Sequence, residues 1–494
     1  MAHTLDDLFG GVPGARIDGD PRAVVRGLCT DSRRVTPGAV FFAISGRRTN
    51  GRFYIEEAVQ RGAAAVVSEE RVWVPRKTTL VVVPEIRGAL VEVARRYYSM
   101  AQEKLALTGV AGSGGKTVVA TLVREFLNTM EEPVGLLGTI HYAIGKRTLP
   151  AYRTTPEPVD LYALFSQMAE AGCRQAVMEV SSHGIDQARV KGLGFDVAVF
   201  TGLFPEHLDY HGSMENYFAT LRRIFDGENG PTPRVAVINT DDEWGRRLHG
   251  ELAGRCEVVS VGTAEGADLR AEEIDCATDG TRFRLVGGGH DIRVFSPLLG
   301  DFNVTNLLCA LAVVRVRGGS LTEALGKLID FDGVRGRIER VELGQPYSVI
   351  VDYAHTESSY AKTLDMLRRL AKSRVITVFG CGGDRDRSRR PRIARIVADR
   401  SDLAFATTDN PRSETVDGIF ADMRGGLRAD DGVRFVDDRR HAISLALDAA
   451  GPGDIVLIAG KGHETFQEYT DSVVPFDDRA VARELISKKM GTEL

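Results

Sequence analysis

Residues 105–110 form an apolar run, residues 118–128 read as a helix, and Gly112-Ser113-Gly114-Gly115-Lys116-Thr117 lies between them. A strand, a glycine loop and a helix in that order leave few folds open. The loop turns successive backbone N–H groups and a helix N-terminus toward one point, which makes an anion site at the edge of a parallel sheet. Lys116 adds a mobile cation and Thr117 a hydroxyl suited to Mg²⁺, so the expected guest is a nucleoside triphosphate. The strict phosphate-loop spacing wants glycine five places before Gly115, where this chain has Val110, so the match is to a shorter G-x-x-G-K-T form. A glycine-rich turn without a ligand is the competing reading. The position of Gly-Lys-Thr at the strand-to-helix junction favours the nucleotide.

A chain of 494 residues is longer than one core usually supports, which predicts about three domains. Its 63 basic and 68 acidic residues give a net charge of −5 with no long run of either sign, so nucleic acid and membrane surfaces are not expected partners. Small acidic ligands must then be held by local sites. Cys29, Cys173, Cys256, Cys276, Cys309 and Cys381 lack paired spacing, which suits a reducing cytoplasm better than disulfides or a zinc site. No segment has signal-peptide or membrane-spanning character, and the expectation is a cytoplasmic monomer.

The first hundred residues alternate short strands (39–44, 64–67, 79–83) with helices (55–61, 87–100), which predicts a small α/β module. Ser32 and Arg33 fall on a loop, where ligand binding and turn capping by Asp31 and Ser32 are equally compatible readings. Beyond the glycine loop, residues 134–140, 175–180, 197–200 and 234–238 read as strands. Glu179 ends one of them. Open parallel sheets bind ligands outside the carboxyl ends of their strands, so Glu179 is a metal candidate. His207 and His211 stand in a nearby loop, where a histidine is more often a structural hydrogen-bonding residue than a ligand.

From about residue 334 the α/β alternation restarts, with strands at 348–352, 375–379, 403–406 and 454–458 and a helix over 360–371. Loops at the strand ends carry Gly380 to Arg387, Asp409-Asn410-Pro411-Arg412 and Gly460 to Glu464. Tight turns and a solvated basic stretch would explain these loops without function. An arginine fork matches a carboxylate and an acid suits an ammonium, so a site with both would take a zwitterion.

Asp31-Ser32-Arg33, the short glycine loop, Thr154-Thr155-Pro156, Met178 to Gly184 with Gln187 and Arg189, and His207-Leu208-Asp209-Tyr210-His211-Gly212 occur in this order. They are followed by Gly300 to Val304, Gly336 to Arg340, Val351 to Thr356, Gly380 to Arg387, Asp409 to Arg412 and Gly460 to Glu464. In these motifs the chain resembles the Mur ligases over nearly its whole length. The likeness is closest to the members that extend UDP-N-acetylmuramoyl-L-alanyl-D-glutamate (UDP-MurNAc-L-Ala-D-Glu).

The resemblance implies an α/β fold of three domains. Residues 1–100 would bind the UDP end of the substrate, 101–333 would form a central P-loop ATPase-type parallel sheet, and 334–494 a Rossmann-like amino-acid domain. It implies ATP with Mg²⁺, and Lys116, Glu179 and His207 as catalytic residues. Gly112, Ser113, Gly114, Gly115, Lys116, Thr117, Val118, Asn303, Arg337 and Asp352 would bind ATP, with Thr117, Glu179 and His207 near the metal. Ser32 would hold the uridine end of the UDP-muramoyl dipeptide, and Thr154, Thr155, Ser181, Gln187 and Arg189 its muramoyl dipeptide. Arg385, Asp409, Asn410, Pro411, Arg412, Gly460 and Glu464 would take meso-diaminopimelate, for which Asp-Asn-Pro-Arg is the family's mark. A folylpolyglutamate synthetase fits the loop but not the first-domain motifs or that tetrad.

The chain departs from the family at three points. Its loop reads Gly-Ser-Gly-Gly-Lys-Thr where Gly-Thr-Asn-Gly-Lys-Thr is usual, Arg153 replaces asparagine, and Leu221 replaces a lysine that is normally carbamylated and bridges to metal. No lysine lies between Lys191 and Lys327, so a shifted alignment does not restore it. A binding scaffold that has lost turnover is therefore the alternative expectation.

Overall fold

The computed structural model describes residues 3–46 and 49–491. Two compact units emerge, the first made of residues 1–202, 217–260 and 312–317, the second of 203–216, 261–311 and 318–494.

The first unit opens with a sheet ordered Arg16–Asp18, Thr79–Val82, Ala65–Ser68, Ala39–Phe42, Gly27–Cys29. All neighbours are parallel except Arg16–Asp18. Ala39–Phe42 and Ala65–Ser68 are buried along their whole length, as continuous apolar strands must be when helices cover both faces. A larger sheet follows, ordered Arg147–Pro150, His141–Ile144, Val134–Leu137, Gln175–Glu179, Ala106–Ala111, Val197–Phe200, Val235–Asn239. Its core from Val134–Leu137 to Val235–Asn239 is parallel. The register pairs Glu179 with Val110 and Phe200 with Ala111, so the carboxyl ends of three strands finish together. Helix Lys116–Leu127 starts at that edge, with seven of its residues buried.

The expected strand over 134–140 ends at Leu137, and residues 141–150, where no strand was expected, form an antiparallel hairpin. Its outer strand Arg147–Pro150 is exposed and polar, which removes the apolar alternation that marks a strand.

In the second unit the sheet order is Glu339–Arg340, Ser348–Asp352, Ile455–Ala459, Val375–Phe379, Leu403–Thr407, Val433–Val436, parallel except for the first pair. Helices Glu357–Leu370, Arg389–Arg400 and Val416–Arg424 pack on one face, and Arg439–Ala449 and Asp478–Met490 on the other, each over its own apolar cluster. This is a doubly wound sheet. An antiparallel meander, Leu269–Ala277, Gly280–Gly287 and His290–Ser296, also belongs to this unit. No helix among the described residues is long and apolar enough to cross a membrane.

Candidate active site

The glycine loop of the first unit is built by close backbone approach. Gly112 has φ +141, and a Cβ there would stand 2.2 Å from Thr201 Oγ1. Gly115 adopts the left-handed conformation at φ 81 as the N-cap of the following helix. Lys116 turns its Nζ back onto the loop, donating to Gly112 O at 2.7 Å and Ser113 O at 3.1 Å. A phosphate can displace these carbonyl oxygens at small electrostatic cost. Ser113 and Thr117 are buried in the same turn.

Glu179 is the carboxylate at the end of the adjacent strand, and it is buried. Thr117 Oγ1 and Thr139 Oγ1 each donate to its Oε2 at 2.9 Å, and Thr139 N donates to Oε1 at 2.7 Å. A Cβ on Gly138 would come within 2.8 Å of Oε1, so that glycine keeps the approach open. A carboxylate oxygen and a hydroxyl side by side are hard donors of the kind Mg²⁺ uses together with waters and phosphate. Among the described residues there is no set of three or more His, Cys, Asp or Glu gathered as a metal cage. Thr117 and Glu179 offer two oxygen donors that would suit a Mg²⁺ arriving with phosphate. His207 belongs to the second unit, at φ 56 before the short helix Leu208–His211, with Glu206 Oε1 at 3.8 Å from Nε2.

Thr154, Thr155, Ser181, Gln187 and Arg189 form one network. Thr155 Oγ1 lies 3.0 Å from Glu179 O and 3.1 Å from Ser181 Oγ, and Thr154 Oγ1 lies 3.1 Å from Thr139 Oγ1. Arg189 is buried; its NH1 donates to Thr155 O at 3.0 Å and its NH2 to Gln187 Oε1 at 2.6 Å. Ser32 stands apart on its 3₁₀ turn, donating to Glu57 Oε2 at 2.6 Å, while Asp31 caps the turn through Arg33 N. That hydrogen bond from Ser32 holds the Glu57 carboxyl below its ordinary range.

Asp352, buried in the second unit, accepts from Ile338 N and Ala354 N, both at 2.9 Å. Burial raises its pKa, and the neighbouring Arg337 charge opposes the rise. Arg337 lies over the Tyr353 ring at 4.6 Å. Asn303 Nδ2 donates to Leu299 O at 2.8 Å.

The structure gathers the loops expected to take the amino acid. Asn410 donates to Glu464 Oε2 at 2.8 Å, and the fully buried Lys461 bonds both, at 2.9 Å to Asn410 Oδ1 and 3.1 Å to Glu464 Oε2. Arg412, in the left-handed conformation at φ 52, donates from Nε to Glu468 Oε2 and from NH1 to Gly383 O. Gly460, at φ +108, faces Asp409 Oδ2, which a Cβ would meet at 2.6 Å. Pro411 O sits where a Gly383 side chain would be, 1.8 Å from its Cβ position. Arg385 is exposed.

Sequence reasoning passed over several residues here. Lys461 lay inside a recognised motif, flanked by two glycines, but nothing in the sequence marks it as buried. Tyr360 is fully buried beside Gly460, its hydroxyl without a hydrogen-bond partner among the described residues. Burial depresses the His463 imidazole to about 3, so it stays neutral.

A phosphate-cradling loop beside a buried glutamate, and a doubly wound unit whose loops carry both arginine and acid, define a nucleotide-using enzyme with a second site for an amphoteric ligand. The chain belongs to the Mur ligase family. Residues 110–314 match the Mur ligase middle domain, 336–462 the Mur ligase glutamate ligase domain, and 24–98 the domain described as Mur ligase family, catalytic domain. It is 44% identical to a UDP-N-acetylmuramoyl-L-alanyl-D-glutamate--2,6-diaminopimelate ligase of Solibacter usitatus, over 94% of this chain and 93% of that one. A ligase of the same name from Geobacillus thermodenitrificans is 40% identical over 98% and 99%. A solved structure of an enzyme with that name is 32% identical, covers 99% of this chain and 100% of its own, and superposes with a TM-score of 0.70. An inactive binding scaffold, the alternative raised by Leu221, finds no support among these relatives.

Proposed function

We propose that the chain is an ATP-dependent, ADP-forming ligase that joins meso-diaminopimelate to UDP-N-acetylmuramoyl-L-alanyl-D-glutamate in peptidoglycan precursor synthesis. The carrying observation is identity of 40–44% over essentially full length to ligases named for the dipeptide and 2,6-diaminopimelate. The D-glutamyl side-chain carboxylate attacks the γ-phosphorus of ATP and ADP leaves; the amine then attacks the acyl phosphate carbon and phosphate leaves, its proton passing to solvent. Such transfer is governed by positioning and charge neutralisation.

Lys116 and the N–H groups of residues 112–118 take the phosphates, and Asn303, Arg337 and Asp352 bind the nucleotide. Thr117 and Glu179, with His207, would hold Mg²⁺, which when bound neutralises phosphate charge. Thr154, Thr155, Ser181, Gln187 and Arg189 position the dipeptide, and Ser32 the uridine end. Arg385 and Arg412 suit the carboxylate of the incoming amino acid, and Asp409 and Glu464 its ammonium. We read residues 1–100, 101–333 and 334–494 as the three domains that serve these ligands, in a cytoplasmic monomer.

The test is phosphate release by the purified protein with ATP and the muramoyl dipeptide, with meso-diaminopimelate, lysine or glutamate supplied in turn. Release with meso-diaminopimelate alone is the expected result. Release only with glutamate would instead indicate a folylpolyglutamate-type ligase.

A further inference from the structure

Asp409 lies in a slot made by two glycines. Its Cβ is 3.0 Å from the Cβ position of Gly380, and its Oδ2 is 2.6 Å from that of Gly460, so a side chain at either place would crowd the aspartate. The Gly460 position has a second neighbour, the Tyr360 hydroxyl at 3.8 Å. Carboxylate and hydroxyl thus border one gap that a glycine leaves open.

Tyr360 is held firmly at this place. It is the fourth residue of helix Glu357–Leu370, whose start is fixed by a capping box between Thr356 and Ser359, and Thr363 one turn further on donates to Asp352 Oδ1 at 3.4 Å. Its ring packs edge-on to Phe379 at 6.3 Å within the core. Phenylalanine would pack there equally well. The hydroxyl is what needs a reason, because it is fully buried with no hydrogen-bond partner among the described residues, and such a group costs stability. Burial pushes its pKa well above the ordinary value, so it stays an O–H donor.

The acceptors whose fields reach this donor are Cys381, Asp409 and Asp352, and the nearby Arg439 is spent on Asp478, Ala459 O and Thr408 O. Asp352 already accepts from Ile338 N and Ala354 N. The Cys381 thiol, pushed up to about 12 by burial, stays protonated and is a weak acceptor. The half-buried Asp409 carboxylate accepts no hydrogen bond among the described residues.

We propose that Tyr360 is a positioning residue of the amino-acid site: its hydroxyl donates to the Asp409 carboxylate and fixes the direction in which that carboxylate meets the ammonium of the incoming amino acid. This rests on the ligase reading above. A rotation of the Asp409 side chain, or one bridging water, closes the gap between the two oxygens. A hydroxyl that weakens the fold is retained because it acts on substrate binding.

The test is Tyr360→Phe, which removes one oxygen and keeps the ring, compared with the unmodified protein by steady-state kinetics and thermal melting. KM for meso-diaminopimelate is expected to rise about fivefold, the scale of one hydrogen bond, with kcat and the KM values for ATP and the muramoyl dipeptide within about twofold. Tm is expected not to fall, since the hydroxyl has no partner to lose. In an Asp409→Ala background, or Asp409→Glu where turnover of the first is too slow to measure, Tyr360→Phe is expected to change KM by less than about twofold, because the carboxylate it anchors is gone or displaced.

Three results would each overturn the proposal: KM for the amino acid within about twofold in Tyr360→Phe, a fall in Tm with all three KM values moving together, or a KM effect that persists in full in the Asp409 backgrounds. Phosphate release with lysine or glutamate in place of meso-diaminopimelate would reject the substrate reading, and the proposal would then stand or fall on KM for that amino acid. No release with any of the three would reject both.

Discussion

At the scale of single residues, the glycine loop and Leu221 make opposite demands. Lys116 Nζ donates to two loop carbonyls, from which its charge can pass to phosphate oxygens when nucleotide arrives. Lys116→Ala removes a clamp on charge that develops during phosphoryl transfer, and ATP-dependent turnover is expected to fall by about 10²-fold or more. Near-native phosphate release by that variant would show that the loop does not hold the triphosphate. Leu221 is fully buried on helix Met214–Arg222, on the face that carries Tyr217 and Phe218. An apolar residue so placed brings no oxygen to a metal, and no lysine lies between residues 191 and 327 to do so. Turnover is therefore expected not to respond to added bicarbonate. Leu221→Lys buries an ammonium in an apolar setting and is expected to lower Tm by several degrees, whatever it does for Mg²⁺ demand. A bicarbonate-dependent rate in the unmodified protein would mean that another amine has taken up carbamate chemistry.

At the scale of elements, strands buried on both faces were legible and those exposed on one face were not. Val197–Phe200, Ser348–Asp352 and Val375–Phe379 fall where their largely apolar runs place them, because a central parallel strand is buried on both faces. The meander strand Leu269–Ala277 mixes buried, half-buried and exposed residues and carries three acids, so its pattern does not favour a strand over a loop. Charged residues in the core were equally hidden. Arg390 reads as part of a basic stretch between Arg385 and Arg392, yet it is buried and bonds Glu414 at 2.7 and 2.8 Å and Asp422 at 2.8 Å. The hydrogen bond from Arg390 is the largest cause holding the Glu414 carboxyl at about 2, against an ordinary 4.5. A depressed folded-state pKa gives stability that is present in full above pH 4.5 and is lost as pH falls toward 2. Glu414→Gln is expected to lower stability at neutral pH and to flatten the acid limb of the unfolding curve between those values. An acid limb unchanged from that of the unmodified protein would show that Glu414 gains nothing from Arg390 on folding.

For the whole molecule, the reaction follows from which ligands the loops accept, and the amino-acid loops make a choice that can be measured. Motif order along the chain was sufficient to bring Asp409, Asn410, Arg412, Gly460 and Glu464 together, because each follows a strand of one parallel sheet and strand ends converge by construction. What could not be read was how Arg412 is held. Its left-handed backbone and its bonds to Glu468 and Gly383 fix the guanidinium, while NH2 makes no hydrogen bond among the described residues. Arg385 comes close to the neighbouring Gly382, its Cγ 3.8 Å from that residue's Cβ position, where Arg412 NH1 is at 3.1 Å. A carboxylate presented there would meet the Arg412 guanidinium, already held by Glu468 and Gly383, so little of its ordering entropy is lost on binding. Meso-diaminopimelate carries a second carboxylate at its distal end; lysine carries none, and with lysine bound the arginines would lose water without gaining a partner. Sites built around a hydrogen-bonded group reject analogues that lack it far more strongly than apolar pockets reject a missing methylene. The unmodified protein is expected to prefer meso-diaminopimelate over lysine in kcat/KM by about 10²-fold or more, and Arg412→Ala to raise KM for meso-diaminopimelate while KM for ATP stays within about twofold. If lysine and meso-diaminopimelate were used equally well by the unmodified protein, the pair of arginines would have to be assigned to something other than the distal carboxylate.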